Sequence, residues 1–454
     1  MKKIRLSNGI KILYEKVLGN ITSFTIGFEA GANTDNENKL GIAHAVEHMV
    51  FKGTNSKTEK EINDLCNEYL GFHNAMTNYP YVVYYGSCLK EDFSNGFNLY
   101  CDIVFNPAFK EDGFKEEISV ILEELKEWSD DVVQHCEDVL FYNSFEKRRI
   151  KELIIGKEET IKSITLEDIK EFHKSFYTAD NCVISVVTSL EIEEVLKIIN
   201  GSSELVCVNK KVESEVLGTA GATYEERDKN NLGDLNKSVQ LTYDSDNSNK
   251  DNKYSDILPE KDKFPSYENP KDGVFIEENT TINGCKLQYI FPIHELSERE
   301  VTLLNLFNEY FADGTSSILY DEIRTKRGLV YDIQGKVKNE KGIKLYTITL
   351  STSKDNLLQV QEIIKENIER IKQSKGIFIE KFFRKYERSQ NLKRMLALEK
   401  SIVLSMHLAV YEIMYGKCEL LLEEFYNLNS CNEEEMIYTI NKVFNNETLG
   451  IISN

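Results

Sequence analysis

The chain has 454 residues, is 41% hydrophobic, and carries 23 Tyr and 23 Phe, enough apolar material for two cores and too much for a disordered polymer. Asp and Glu total 75 against 55 Lys and Arg, a net charge of −20 that excludes the basic surface a nucleic-acid partner requires. No run reaches the roughly 18 consecutive apolar residues of a membrane helix.

The start, MKKIRLSNGIKILYEK, reads as strand, Asn8-Gly9 turn, strand. It is basic but has no apolar segment of the signal-peptide kind, so the expected location is cytoplasmic, with no membrane partner. ITSFTIGFEAG (21–31) predicts a strand, and GIAHAVEHMVFKG (41–53) a helix closed by glycine. KTEKEINDLCNEYLG (57–71) is an amphipathic helix. AMTNYPYVVYYGSCL (75–89) predicts one strand, which Pro80 would confine to an edge or a bulge. Residues 91–128 are helical in pattern, 163–177 predict a helix capped by Thr165, and 181–187 a strand.

From about residue 224 the composition turns to Asp, Asn, Lys and Ser, with three of the six prolines by residue 272. Such a segment cannot bury enough apolar surface to offset its ordering entropy, which predicts a flexible linker over 223–272. The strand and helix patterning then restarts at KLQYIFPI (286–293) and REVTLLNLFNEYF (299–311). The expected organisation is α+β, a duplicated unit with halves at 1–222 and 273–454. The nine Cys are scattered without close pairs and read as reduced thiols, none of them with a nucleophile's motif.

His44 and His48 stand four apart in HAVEH, which puts them one turn apart on one helix face, where both imidazoles can reach one Zn²⁺. Glu47 lies beside them, placed to take a proton from metal-activated water and hand it to a leaving amine. A third ligand must come from elsewhere. In KEEISVILEELKE (115–127), Glu117 and Glu124 share a face two turns apart, and Glu116 with Glu123 form an equivalent pair; spacing does not choose between them. The plain alternative is a helix whose histidines are satisfied by hydrogen bonds.

GIAHAVEHMVFKGT resembles the inverted zinc motif of the pitrilysin/insulinase metallopeptidases, flanks included, through Gly41, Ala43, Met49, Phe51, Lys52, Gly53 and Thr54. The family's third ligand is a glutamate about 76 residues after the second histidine, with an acidic residue seven earlier. The resemblance therefore implies Glu124 as ligand and Glu117 as supporting carboxylate. GFHNAMTNYPYVVYY resembles the strand on which substrate adds as a further strand, which implies that Asn74 and Ala75 bind peptide backbone. Pro80 and Val82 stand where the family usually has Glu-x-Thr. SSILYDEIRTKRGLVYDI resembles the signature that brings an arginine and a tyrosine to the active site, here Arg324 and Tyr331, able to hold a carbonyl and stabilise an oxyanion.

The resemblance implies two homologous α/β-sandwich half-domains forming a clamshell chamber. It further implies one Zn²⁺ per chain and a zinc endopeptidase acting on extended peptides or leader segments. The expected assembly is a homodimer, or a heterodimer with a related chain. The alternative is a catalytically silent structural or binding subunit, as some relatives are.

Overall fold

A computed structural model describes residues 1–147, 149–205, 267–279, 282, 284–423 and 431–453. Most of the expected linker, up to residue 266, lies outside the described residues, as does Cys207. The other eight cysteines are free, and seven of them are buried.

The first sheet contains β1 (Lys2–Arg5), β2 (Lys11–Lys16), β3 (Ile21–Phe28), β4 (Phe72–Thr77), β5 (Val82–Leu89) and β6 (Cys182–Thr188), in the spatial order β1-β2-β6-β3-β5-β4. The second contains β7 (Gly273–Glu278), β8 (Cys285–Pro292), β9 (Val330–Glu340), β10 (Ile343–Thr352) and β11 (Thr448–Ser453), in the order β7-β11-β8-β10-β9. Without β1 the two orders are the same. Each sheet has one parallel pair, β2 with β6 and β7 with β11, and is otherwise antiparallel. This is the duplicated α+β unit that the repeated patterning predicts.

The helices follow the same plan. In the first half they are α1 (Ile42–Val50), α2 (Glu59–Tyr69), α3 (Phe93–Phe105), α4 (Phe114–Asp130), α5 (Val132–Ser144), α6 (Glu158–Ser163), α7 (Leu166–Phe176) and α8 (Ile192–Gly201). In the second they are α9 (Glu298–Phe311), α10 (Leu357–Lys372), α11 (Glu380–Leu398), α12 (Ser401–Tyr415), α13 (Leu420–Glu423) and α14 (Glu433–Val443). Capping boxes open α2 at Thr58, α7 at Thr165 and α9 at Ser297.

Two helices trade places. α12 lies on the first sheet, where Leu408, Ala409 and Ile413 pack against Leu13, Val83, Val183 and Val187. α5 lies on the second sheet, where Leu140 and Phe141 pack with Ile290 and Leu345. Polar groups fasten the exchange. Glu412 of α12 is buried between Lys3 and Lys11 at 2.7 and 2.9 Å, and Glu137 of α5 pairs with Lys338 of β9.

Two expectations need correction. Residues 75–89 are not one strand but the second part of a hairpin, β4 and β5, with Pro80 in the turn between them. Proline cannot donate to a ladder, and the turn is closed instead by the Asn78 N–H on Tyr81 O at 2.8 Å. The helical stretch 91–128 is broken between α3 and α4, across Pro107 and a left-handed Gly113 at φ +85°.

Candidate metal centre

The helix that carries HAVEH is fixed by its buried face and by a cap from outside it. Ile42, Ala43, Ala45, Val46, Met49 and Val50 enter the first core, which leaves His44, Glu47 and His48 on the remaining face. At the N-terminus the buried carboxylate of Asp35 accepts the N–H groups of Gly41 (2.7 Å) and Ala43 (3.1 Å). It is held in turn by Arg149 at 3.0 Å. Burial pushes the Asp35 carboxyl up to about 6, against the opposing pull of Arg149 and the helix amides.

α4 crosses α1 and brings two glutamates to the histidines. Glu124 Oε1 lies 3.7 Å from His44 Nε2, and Glu124 Oε2 lies 3.4 Å from His48 Nε2. One ligand atom from each of the three residues falls within 4.8 Å of the others. Two imidazoles and a carboxylate, with a fourth direction open, form the donor set of a catalytic zinc. Glu124 is 38% exposed against 12% for His44 and 20% for His48, so the group opens to solvent on its carboxylate side. Glu116 and Glu123 are exposed on α4, and Glu123 pairs with Lys126.

Behind the three donors, Glu117 Oε1 sits 2.8 Å from His48 Nδ1, and Lys52 Nζ lies 3.1 Å from Glu117 Oε2. With the His48 Nδ1–H donating to Glu117, Nε2 is aimed at Glu124. Burial pulls the His48 pKa down, but the hydrogen bonds to Glu117 and Glu124 outweigh it and raise it to about 9. His44 is lowered to about 4, by burial first and then by the neighbouring His48. Glu117 and Glu124 are both held low, chiefly by His48.

Glu47 is raised by burial, opposed by hydrogen bonds from Thr77. The Thr77 hydroxyl donates to Glu47 Oε2. The buried hydroxyls of Tyr84 and Tyr177, 2.7 Å apart, lie nearby. Thr77 is the last residue of β4, the free edge strand of the first sheet. Alternation along β4 turns Ala75 and Thr77 towards the zinc helix and Met76 towards α12. Asn74 is exposed, and its Oδ1 accepts the Ala75 N–H at 2.9 Å.

Arg324 and Tyr331 are not joined to this group by any hydrogen bond or ion pair among the described residues. Arg324 lies in a π-helical turn (Tyr320–Thr325), donates to the Tyr320 hydroxyl, and stands 5.2 Å from the centre of the Tyr331 ring. Tyr331 is 80% exposed at the start of β9, the strand that occupies in the second sheet the edge position of β4 in the first. Thr77, Asp35 and Arg149 escape a reading of the sequence. Thr77 lies inside the quoted NAMT run, but its role depends on which way the strand faces. Nothing in the sequence singles out Asp35 and Arg149.

A family model described as insulinase, peptidase family M16, matches residues 12–158, and one described as the peptidase M16 inactive domain matches residues 163–382. An uncharacterized zinc protease of Rickettsia felis is 24% identical over 455 residues, 99% of this chain and 96% of that one. The uncharacterized zinc protease YmxG of Bacillus subtilis is 24% identical over 461 residues, 100% of this chain and 98% of its own length. A crystal structure of a protease from Helicobacter pylori superposes with a TM-score of 0.78 at 18% identity, covering 100% of this chain and 99% of that one. Two models of one peptidase family that together take in most of the chain, and relatives matched end to end, settle its kinship: the chain belongs to the pitrilysin/insulinase family of zinc peptidases, M16.

Proposed function

We propose that the chain is a zinc-dependent endopeptidase that cleaves peptides bound in extended form along the free edge of β4. The observation that carries this reading is the convergence of His44, His48 and Glu124, with the Glu47 carboxylate beside them. Zinc held by these three side chains supplies Lewis-acid activation of water and of a peptide carbonyl. Glu47 takes the proton of the attacking water and returns it to the leaving amine. Burial raises the pKa of its carboxyl, which strengthens it as a proton acceptor. Glu117 keeps His48 in the tautomer that presents Nε2.

Substrate adds to β4 through backbone hydrogen bonds at Asn74 and Ala75, a mode that reads extended chains and excludes folded ones. Arg324 and Tyr331 complete the site from a second chain, which fits the 80% exposure of Tyr331 and the stacking of Arg324 on its ring. A second reading, a silent subunit, draws on the inactive-domain description of the model matching residues 163–382.

The test is a library of unstructured peptides digested by the zinc-loaded chain and by Glu47→Gln and read by mass spectrometry, with zinc content measured in parallel. Cleavage by the parent and none by the variant, both holding zinc, is the expected result. Equal cleavage by both sinks the mechanism, and none by the zinc-loaded parent favours the silent subunit.

A further inference from the structure

We infer that Thr77 is a positioning residue for the general base, tying the aim of Glu47 to the strand on which substrate adds. This rests on the proposed peptidase reading. A glutamate side chain has three rotatable bonds, and a general base must hold its oxygen within hydrogen-bond reach of the proton it takes. Glu47 sits on α1, whose packing fixes its Cα but not its carboxylate. Thr77 supplies what the helix does not. Its hydroxyl donates to Glu47 Oε2.

The device is stiff at both ends. A β-branched side chain has few χ1 states, so the Thr77 hydroxyl is aimed by the backbone that carries it. That backbone is pinned by pairing with β5, Thr77 opposite Val82 and Ala75 opposite Tyr84. The same strand presents Asn74 and Ala75 at its open edge. One short strand therefore carries both the substrate-binding edge and the clamp on the base. The role is separable from metal binding, because Thr77 touches none of His44, His48 and Glu124 by a hydrogen bond.

The experiment compares the zinc-loaded full chain with Thr77→Val, which keeps shape and the backbone N–H, Thr77→Ser, which keeps the hydroxyl, and Glu47→Gln. The best peptide of the library serves as substrate, and zinc-free crystals of the same proteins are solved. Thr77→Val is expected to lower kcat about tenfold, with KM within about twofold and zinc content kept, as for loss of one hydrogen bond to a charged group. Thr77→Ser is expected to recover most of that loss. In the crystals the Glu47 carboxylate holds its place in Thr77→Ser and turns away in Thr77→Val. An unchanged kcat in Thr77→Val, with Glu47→Gln inactive, overturns the inference and leaves the peptidase reading standing; so does an equal loss in Thr77→Ser. If the parent cleaves no peptide, the peptidase reading has failed and the crystals decide alone. An unmoved carboxylate then overturns the positioning role, and a displaced one supports it.

Discussion

His44 and His48 lie one helical turn apart and hold protons very differently. Zinc needs both Nε2 atoms unprotonated, so the difference has a measurable consequence. With His48 raised to about 9 and His44 lowered to about 4, the metal-free site at pH 7.5 carries its proton on His48 and none on His44. Zinc binding at that pH is expected to release about one proton, and affinity to rise about tenfold per pH unit until the His48 pKa is passed. Calorimetry in two buffers of different ionisation enthalpy counts the proton. Glu117→Gln removes the strongest interaction that raises His48, and should bring the count clearly below one. A count near zero in the parent would mean that Glu117 does not hold His48 charged. The same shift bears on folding without metal. A folded pKa above the unfolded value contributes stability that is complete below about 6.5 and lost as the pH climbs through 9.

Much of this residue pattern is legible in the sequence, because four-residue spacing on one helix needs only helix geometry. Spacing alone does not choose Glu117 and Glu124 over Glu116 and Glu123, since the two pairs differ by one residue of rotation. The family resemblance makes that choice, and the packing of α4 against α1 brings Glu117 to His48 and Glu124 to both histidines.

At the scale of elements, the zinc helix depends on how it begins. Gly41 has φ +92°, and a Cβ there would lie 2.2 Å from Ile155 O. Gly156 faces it with φ +93°, and its own Cβ would lie 2.3 Å from Leu40 O. Two glycines thus allow two backbones to touch where α1 starts, beside the Asp35 cap. Gly41→Ala has to find room for a methyl among backbone atoms and take a left-handed conformation that alone costs about 1–2 kcal/mol. The expected outcome is a clearly lower melting temperature with weakened zinc retention, read by thermal unfolding and metal analysis. A variant as stable and as zinc-rich as the parent would show that the segment near Ile155 yields freely. Local signals of this kind read well from sequence where a side chain makes its own case, as with Thr165 at the start of α7. They read poorly where a residue has two uses. Pro80 fits an edge position or a bulge in a single strand, and only the pairing of β4 with β5 shows it in a hairpin turn instead.

At the scale of the molecule, the sequence shows repetition but not exchange. An apolar helix such as α12 must be covered, yet its composition does not say which sheet covers it. Here α12 and α5 each cross to the other half, so neither sheet is covered by its own stretch of chain alone. The exchange ties the halves together while leaving β4 and β9 as open edges in matching positions, one beside the zinc group and one carrying Tyr331. If Arg324 and Tyr331 serve the zinc group of a second copy, their loss can be repaired by a chain that is defective elsewhere. Glu47→Gln lacks the base but offers an intact Arg324, and Arg324→Ala has the base but lacks the arginine. Each alone should be inactive. Mixed in equal amounts and allowed to exchange, half of the dimers are hybrids, and each hybrid holds one complete site in two. About a quarter of the parent activity should therefore return, a ratio set by two-fold symmetry rather than by the chemistry. No recovery despite demonstrated subunit exchange would place Arg324 in the service of its own chain's zinc. Full activity of Arg324→Ala alone would remove it from the site altogether.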